Sequence, residues 1–304
     1  MYKIFFVILH YQNVEDTINC IESINKLKKN SEIEVNCLVI DNKSPNNSGD
    51  VLKEKYKNKK NINVMLLDNN YGFSKANNIG YKYCKEKMAD LILIINNDIV
   101  FEDSEFLIKL IKFYKENNNY EIICPDVINL KDMHQNPMKL KPMTIKKAYK
   151  NLIYKKIISI LLNIPIINII TYNIEKNREN KWLESYYKNN EIKKDIEESF
   201  IPIGAFLIYT KKWILNEDIA FPSDTFMYLE EDFLGIYILN KKYKIFYLDN
   251  LKVRHLEGRS VSSKTYNKYK NFAFKYRNQS IAIKRYIKFL QEIRKEYKYG
   301  NKND

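Results

Sequence analysis

The stretch LILIINNDIV, residues 91–100, decides the fold class of this chain of 304 residues. Its first five residues are all apolar, which is typical of a strand buried on both faces, as in a parallel sheet. The run then breaks at Asn96, Asn97 and Asp98 before it turns apolar again. A carboxylate at the end of such a strand either caps a turn or binds a divalent metal ion, and this stretch alone is compatible with both.

Similar apolar runs recur through the first 130 residues, at 3–9, 34–40, 62–67, 90–95 and 120–127. Helical patterns lie between them, at 14–27, 75–87 and 105–116. The alternation predicts an α/β fold with a mostly parallel sheet covered by helices. Polar clusters follow four of the strands: HYQN (10–13), DNKSPNNS (41–48), DNNYGFS (68–74) and NND (96–98). Because such sheets bind ligands at the carboxyl ends of their strands, we expect a binding site there.

The positive charge of the chain is concentrated in two segments. The net charge is +14, residues 139–174 contain seven lysines and no acid, and residues 263–304 contain twelve Lys or Arg against three acids. Solvated helix faces and contact with an anionic membrane surface both explain such segments. No recognition motif for nucleic acid accompanies the charge, so we expect no nucleic-acid partner.

The middle of the chain, residues 131–200, interrupts the alternation. Its stretch IISILLNIPIINII (157–170) is very apolar, but it is short for a transmembrane helix and contains Pro165. It is either the core of an inserted helical segment or an interfacial amphipathic segment with basic flanks. Beyond it we predict a strand at 200–209, a helix from Leu229, two strands at 243–248 and 251–256, and a basic helical tail at 266–299.

The pattern of cysteines and the start of the chain bear on its location. The four cysteines are far apart and show no CxxC spacing, which suggests neither a disulfide framework nor a zinc site. The short apolar stretch after Met1 has the pattern of a first strand rather than that of a signal peptide. We therefore expect a cytoplasmic protein.

A second acidic cluster, Glu230-Glu231-Asp232, opens the predicted helix from Leu229. One of these acids could act as a general base, or all of them could simply complement the helix dipole. His255 ends the last predicted strand, where a histidine is either structural or a metal ligand.

Taken together, these motifs resemble those of the family 2 glycosyltransferases, inverting enzymes of the GT-A fold, and especially the rhamnosyltransferase-like branch that builds bacterial surface polysaccharides. The resemblance covers about residues 3–129 and 200–285. It is carried by HYQNVEDTINCIESI (10–24), VIDNKSP (39–45), NYGFSKANNIGYKY (70–83), IINND (94–98), GAFLIY (204–209), YLEEDFLGIYILNKKYKIFYL (228–248), the spacing of His255, Gly258 and Ser260, and YKNFAFKYRNQSIAIKRY (269–286).

The resemblance implies a role for each of these positions. The implied nucleotide-binding residues are His10, Tyr11, Asn13, Asp41, Asn70, Gly72, Phe73, Asn77 and Asn97. Asp98, Asn96 and His255 would hold a divalent metal ion, Mn²⁺ or Mg²⁺, while Gly204 and Ala205 would lie on the acceptor side. The alignment places Glu231 where the family has its catalytic Asp, which leaves Glu230 and Asp232 as alternatives for the base.

The implied activity is metal-dependent, inverting transfer of a hexosyl or deoxyhexosyl group from a nucleoside-diphosphate sugar, with UDP or dTDP favoured over GDP. The acceptor would be a hydroxyl of a glycan or of a lipid-linked acceptor, at the inner face of the plasma membrane, in capsule or O-antigen synthesis. The long tail is compatible with a homo-oligomer. One alternative is a non-catalytic membrane- or polyanion-binding module on the same fold. The other is a sugar-phosphate nucleotidyltransferase, which HYQNVEDT (10–17) disfavours because it lacks Gly and Lys.

We divide the chain accordingly into four parts. Residues 1–130 would form the α/β half that binds the nucleotide sugar, and residues 131–200 an inserted basic and apolar helical segment. Residues 201–262 would form the acceptor-side and catalytic half of the same domain, and residues 263–304 a basic C-terminal helix.

Overall fold

The computed structural model describes residues 1–189, 200–257 and 267–300. Its strands, in chain order, are β1 (Tyr2–His10), β2 (Ile33–Asp41), β3 (Ile62–Leu66), β4 (Leu91–Asn96), β5 (Ile99–Val100), β6 (Ile122–Asn129), β7 (Phe206–Thr210) and β8 (Ile245–His255). Within the described residues they form one sheet with the order β3-β2-β1-β4-β7-β6-β8-β5.

Most of the sheet is parallel. Strand β1 pairs in parallel with β2 and β4, β2 with β3, and β6 with β8. Strand β7 runs antiparallel to both of its neighbours, β4 and β6, and the short β5 is antiparallel to β8. The carboxyl ends of β1, β2, β3, β4, β6 and β8 therefore lie at the same edge as the amino end of β7.

Three predicted strands differ in the structure. The strand expected at 200–209 begins only at Phe206, because Ile201 instead pairs with Lys139 of the inserted segment. The two strands expected at 243–248 and 251–256 are one strand, β8, whose register against β6 shifts between Pro125 and Asp126. Such a bulge absorbs the polar Asp249 and Asn250 without ending the strand.

The helices are α1 (Val14–Asn25), α2 (Ser48–Tyr56), α3 (Phe73–Glu86), α4 (Phe106–Glu116), α5 (Ile145–Leu161), α6 (Ile167–Asn189), α7 (Lys211–Asn216), α8 (Glu230–Lys241) and α9 (Lys268–Gly300). Helix α2 was not predicted, since its large buried side chains are only Leu52 and Tyr56, too few for a clear helical pattern.

Each face of the sheet carries an apolar core. Along β1, Ile4, Phe6 and Ile8 belong to one core, and Phe5 and Val7 belong to the other. This alternation follows from the two-residue period of a strand, and it shows that both faces are covered.

The inserted segment and the C-terminal helix pack together outside this sheet. Helix α5 lies along α9, and Ala148 of α5 joins Phe233 of α8 and Tyr286 of α9 in a separate apolar cluster. In the part of the chain that the structure describes, no helix combines the length and apolar content that crossing a membrane requires.

Candidate active site

The polar clusters predicted at the strand ends do come together at one edge of the sheet. His10 at the end of β1 stands opposite Asp41 at the end of β2, and Leu9 stands opposite Asn96 at the end of β4. Asp41 is in turn opposite Leu66, the last residue of β3. Three of the expected site residues therefore lie on adjacent strands, within one or two residues of each other in register.

His10 lies beneath this edge and is fully buried. Its Nδ1 is 2.7 Å from Thr17 Oγ1 and its Nε2 is 2.8 Å from Ser48 Oγ, so the ring links α1 to the start of α2. Burial lowers the pKa of His10 to about 4, although the Asp41 carboxylate opposes the shift. The ring is therefore neutral at physiological pH.

Asp41 is held by the loop that follows it. Its Oδ1 accepts a hydrogen bond of 2.5 Å from Ser44 Oγ, and the Ser44 backbone N–H is 3.3 Å from both carboxylate oxygens. The next residue, Asn42, accepts a hydrogen bond of 2.8 Å from Tyr71 N and donates one of 3.2 Å to Gly72 O. Asn42 thus ties the end of β2 to the loop that contains Asn70.

That loop also contacts the second half of the chain. Gly72 has a φ of +78°, and a Cβ built on it would lie 2.0 Å from Phe226 O. Phe73 N donates a 2.8 Å hydrogen bond to the same carbonyl, and Asn70 Oδ1 accepts one of 3.0 Å from Gly72 N. Glycine is needed here both for its left-handed conformation and for the close approach of two backbones.

The two asparagines of α3 play different parts. Asn78 holds the chain before α8, because it donates a 2.8 Å bond to Phe221 O and accepts bonds of 2.9 Å from Ala220 N and Phe221 N. Asn77 is buried, and neither its Nδ2 nor its Oδ1 has a hydrogen-bond partner within the described residues. A buried amide without a hydrogen-bond partner lowers the stability of a folded protein, which makes Asn77 a candidate to bind a ligand.

Two other expected nucleotide-binding residues have partners of their own. Asn13 caps α1 by accepting a 3.2 Å bond from Asp16 N, and Asn97 Nδ2 donates a 3.0 Å bond to Thr17 Oγ1. The side chain of Asn97 therefore contacts α1, whereas Tyr11 and Asn96 are half-buried at the edge. The nucleotide-binding role of Asn13, Asn97 and Tyr11 and the metal-binding role of Asn96 stay predictions.

Asp98 and His255 meet, as the sequence suggested. The His255 Nε2 is 3.2 Å from Asp98 Oδ1, and its Nδ1 is 2.8 Å from Gln135 Oε1. Asp98 is buried, and its Oδ1 lacks any hydrogen-bond partner within the described residues, the imidazole contact apart. A buried carboxylate oxygen beside an imidazole fits a divalent ion that takes its other ligands from phosphate and water. No group of three or more His, Cys, Asp or Glu side chains suited to a metal occurs in the described ranges. Gly258 and Ser260 lie outside them.

The acidic cluster opens α8 after a strained turn. Tyr228 and Leu229 have φ values of +76° and +68°, a conformation that is uncommon for residues other than glycine. Burial raises the pKa of Glu230 to about 8, with a further contribution from Glu231, and burial also raises the pKa of Glu231. Two adjacent carboxyls with raised pKa values, one buried and one half-buried, are typical of sites that transfer protons.

The three acids differ in their partners. Glu231 Oε1 is 3.4 Å from the backbone N–H of Gly204, and Glu230 Oε1 has no hydrogen-bond partner within the described residues. Asp232 is fully engaged, because it forms an ion pair with Lys139 and accepts a 2.9 Å bond from Met143 N. Asp232 therefore anchors the inserted segment to α8, while Glu230 and Glu231 keep free carboxylate oxygens.

Gly204 and Ala205, the expected acceptor-side residues, connect the two groups of acids. Asn96 N, two residues before Asp98, donates a 2.9 Å bond to Ala205 O, and Gly204 next to it contacts Glu231. A Cβ on Gly204 would lie 3.1 Å from Glu231 Oε1, so glycine makes room for the carboxylate. Glu231 thus lies beside the strand end that carries Asp98.

Sequence reasoning missed several residues that build this site. Lys139 and Gln135 come from the inserted segment, which the motifs did not cover, and Phe226 acts through its backbone carbonyl, which no motif reveals. Asn42 could have been found, since it stands directly after Asp41 in a polar strand-end cluster.

Comparisons with known proteins agree with this architecture. The profile of glycosyl transferase family 2 matches residues 6–171, which is more than half of the chain and ends in the first turns of α6. A search of curated proteins gave no match.

Among solved structures, S. aureus TarS 1-349 matches with a TM-score of 0.51 and 15% identity over 84% of this chain and 60% of that chain. Its complex with UDP-GlcNAc matches with a TM-score of 0.50 and 17% identity over 86% of this chain and 61% of that chain. Its complex with UDP gives a TM-score of 0.50 and 18% identity over 83% and 60%. The chain thus spans about three fifths of the length of these structures.

The matches confirm the predicted α/β fold of the GT-A type, with its mostly parallel sheet covered by helices. The structural likeness extends over both halves of the sheet, and the sequence profile covers the strand ends that carry Asp41, Gly72 and Asp98. The chain belongs to glycosyl transferase family 2.

Proposed function

We propose that the protein transfers a sugar from a nucleoside-diphosphate sugar to a hydroxyl group of an acceptor, with inversion at the anomeric carbon. The observation that carries this proposal is the position of Glu231 beside Gly204 and Ala205, at the strand end that bears Asp98. One edge of the sheet thus offers a base for the acceptor and a charged site for the diphosphate.

Glu231 would remove the proton from the acceptor hydroxyl as its oxygen attacks the anomeric carbon. A general base is most effective when its pKa lies near the working pH, and burial moves the pKa of Glu231 upward in that direction. Direct attack from the face opposite the departing diphosphate gives inversion. Asp232 is a poor candidate for this role because Lys139 and Met143 N already occupy its carboxylate.

Asp98 and His255 would hold the divalent metal ion, with Asn96 nearby. When bound, Mn²⁺ or Mg²⁺ would supply positive charge to the diphosphate as it leaves. The chain itself would place the nucleotide over the ends of β1 to β4, near Asp41 and the loop of Gly72, with the unpaired amide of Asn77 facing a polar group of the donor.

Two features support the choice of donor and acceptor. Two solved structures of S. aureus TarS are complexes with UDP-GlcNAc and with UDP, which supports a uridine nucleotide here, with dTDP as the alternative. The resemblance to the rhamnosyltransferase-like branch supports a glycan or lipid-linked acceptor in bacterial surface polysaccharide synthesis.

A thermal-shift panel tests the donor site. UDP, dTDP, GDP, CDP and ATP are added with and without Mn²⁺ to the wild type, to Asp98→Ala and to Glu116→Ala, an exposed control on α4. We expect UDP or dTDP to stabilise the wild type and Glu116→Ala only when Mn²⁺ is present. Neither nucleotide should stabilise Asp98→Ala. At a ligand concentration of about 100 Kd the gain in stability is about 2.7 kcal/mol. No stabilisation by any of the five nucleotides would favour a non-catalytic binding module instead.

Donor hydrolysis or transfer then tests the base. Glu231→Gln should lower kcat by roughly 10² to 10⁴ while the nucleotide still stabilises the variant. Glu230→Gln serves as the matched comparison. If Glu230→Gln loses activity and Glu231→Gln keeps it, the base is Glu230.

A further inference from the structure

The tip of the inserted segment presents a large apolar surface to solvent. Nine isoleucines of α5, α6 and the turn between them are exposed, with exposed fractions from 38% to 76%: Ile153, Ile157, Ile160, Ile164, Ile166, Ile167, Ile169, Ile170 and Ile174. We call this surface the isoleucine tip. Exposed apolar side chains grouped on two successive helices and the turn between them mark a site of interaction with a protein or a membrane.

The isoleucine tip is separate from the core of the segment. On α5, Ile153, Ile157 and Ile160 recur at spacings of four and three residues, so they share one face of the helix. Ile158 and Leu162 belong to another face and pack with Tyr276 of α9. The sequence analysis predicted that residues 157–170 form either a packed helical core or an interfacial segment. Only one side of these helices is packed as a core.

On α5 the charged side chains next to the isoleucine tip are all positive, whereas on α6 Glu175 and Glu179 pair with Arg178 and Lys275. Lys146 and Lys150 are exposed on α5 and continue the row of Ile153, Ile157 and Ile160 toward the N-terminus at the same helical spacing. Residues 139–174 contain no acid that could pair with these lysines.

Helix α9 repeats this combination of positive and apolar residues. Six exposed residues follow one another along one face of α9 at helical spacing: Lys270, Phe274, Arg277, Ile281, Lys284 and Lys288. Because α9 packs along α5, two neighbouring helices carry exposed apolar side chains among exposed cations.

We propose that the isoleucine tip docks on an anionic lipid bilayer, with its isoleucines at the boundary between headgroups and acyl chains and its lysines against lipid phosphates. Apolar side chains flanked by lysines are typical of helices that lie in the membrane interface. A protein partner fits less well, since lysine is depleted in protein–protein interfaces. This proposal goes beyond the transfer reaction and does not depend on it.

Docking would also hold the catalytic helix near the bilayer. Ala148 of α5 packs with Phe233 of α8, and Asp232 binds Lys139 and Met143 N at the start of the inserted segment. The isoleucine tip and the acids of α8 therefore belong to one packed assembly, which suits an acceptor that is itself anchored in lipid.

Flotation with liposomes tests the proposal. The full chain is mixed with vesicles of phosphatidylcholine alone, or of phosphatidylcholine with phosphatidylglycerol, at low and at physiological salt. We expect binding to the anionic vesicles, weaker binding at higher salt because screening reduces the attraction of the lysines, and little binding to neutral vesicles.

Two variants probe the apolar and the charged contributions separately. Ile153→Ser/Ile157→Ser/Ile160→Ser should weaken partitioning onto anionic vesicles by roughly tenfold or more, because exposed apolar area no longer enters the interface. Its control is Val51→Ser/Leu215→Ser, which removes exposed apolar side chains elsewhere. Lys146→Gln/Lys150→Gln should weaken partitioning onto anionic vesicles by about fivefold per lysine. Its control is Lys53→Gln/Lys55→Gln on α2.

The outcomes separate the possible occupants of the surface. Loss of binding in both test variants and in neither control supports the bilayer. Wild-type protein that stays unbound to anionic vesicles at low salt overturns the proposal. A concentration-dependent dimer in analytical ultracentrifugation that the isoleucine variant abolishes, without vesicle binding, would assign the surface to a second copy of the chain. Each of these results is independent of nucleotide binding and of transfer activity.

Discussion

At the scale of single residues, the most informative group is the carboxyl of Glu230. Its pKa is about 8 in the folded protein, against an ordinary value of 4.5, because burial and Glu231 disfavour its charge. At a pH between these two pKa values, Glu230 keeps its proton in the folded protein and has lost it in the unfolded chain. The free energy of unfolding therefore falls as the pH rises through this range, and the penalty is absent below 4.5.

Glu230→Gln should remove this dependence. The free energy of unfolding of the variant, relative to wild type, should rise by a few kcal/mol between about pH 5 and about pH 8.5. Urea unfolding at both pH values measures the difference, with the exposed Glu116→Gln as the control. An equal difference between variant and wild type at both pH values would show that Glu230 is ionised in the folded protein.

A contact between two site residues was predictable only where two separate motifs indicate the same edge of the sheet. The contact of Asp98 with His255 follows from two strand-end residues that meet at one edge. The positions of His10 and Asn97 were predictable, but their partners were not. Both side chains contact Thr17 of α1, and that choice depends on how α1 packs, which no local pattern encodes.

At the scale of elements, Gly72 joins the α3 loop to the chain that enters α8. Gly72→Ala would place a methyl group against Phe226 O in a backbone conformation that alanine avoids. We expect a loss of more than about 1 kcal/mol in the free energy of unfolding, together with weaker nucleotide binding. Thermal unfolding with and without UDP measures both, and the neighbouring exposed Lys75→Ala is the control. Unchanged stability would mean that the two loops are not in contact.

The ion pair of Lys139 with Asp232 joins the inserted segment to α8. Lys139→Met should lower the free energy of unfolding by roughly 2–3 kcal/mol, because it leaves Asp232 as a buried carboxylate with only a backbone donor. Chemical denaturation measures the change, and Lys141→Met, two residues further along, is the exposed control. Equal effects of the two substitutions would show that Lys139 is not bound to Asp232.

Elements with continuous apolar runs were the predictable ones. Strands β1, β2 and β4 each hold a dense apolar run that ends in a polar cluster, and helix α1 has a clear helical period. Helix α2 was not predicted because it has little apolar content. The late start of β7 was not predicted either, because it results from the pairing of Ile201 with Lys139.

At the scale of the whole molecule, the sheet unites residues that are far apart in sequence. Because β7 pairs with both β4 and β6, the predicted nucleotide-binding and acceptor halves share one sheet and should unfold together. In Trp182→Phe, the buried Trp213 is the only tryptophan left. Its fluorescence and the far-UV circular dichroism should show coincident transitions in urea. Two separated transitions would contradict a single cooperative unit.

The overall topology was only partly predictable. The alternation of strands and helices correctly predicted a mostly parallel sheet, and the polar strand-end residues that we expect to bind a ligand lie together at one edge. The antiparallel insertion of β7 between β4 and β6 could not be predicted, since Phe206–Thr210 is a short apolar run whose direction depends on the long inserted segment before it.

The place of β7 in the sheet bears on how the protein is made. On a ribosome, β4 is synthesised about 110 residues before the strand that will cover its edge, which at 5–20 residues per second is a delay of roughly 5–20 s. During that time the nascent chain displays the unpaired edge of LILII, a template for mispairing with other chains. Biosynthesis of this protein should therefore depend on chaperones that shield the growing chain until Thr210 has emerged.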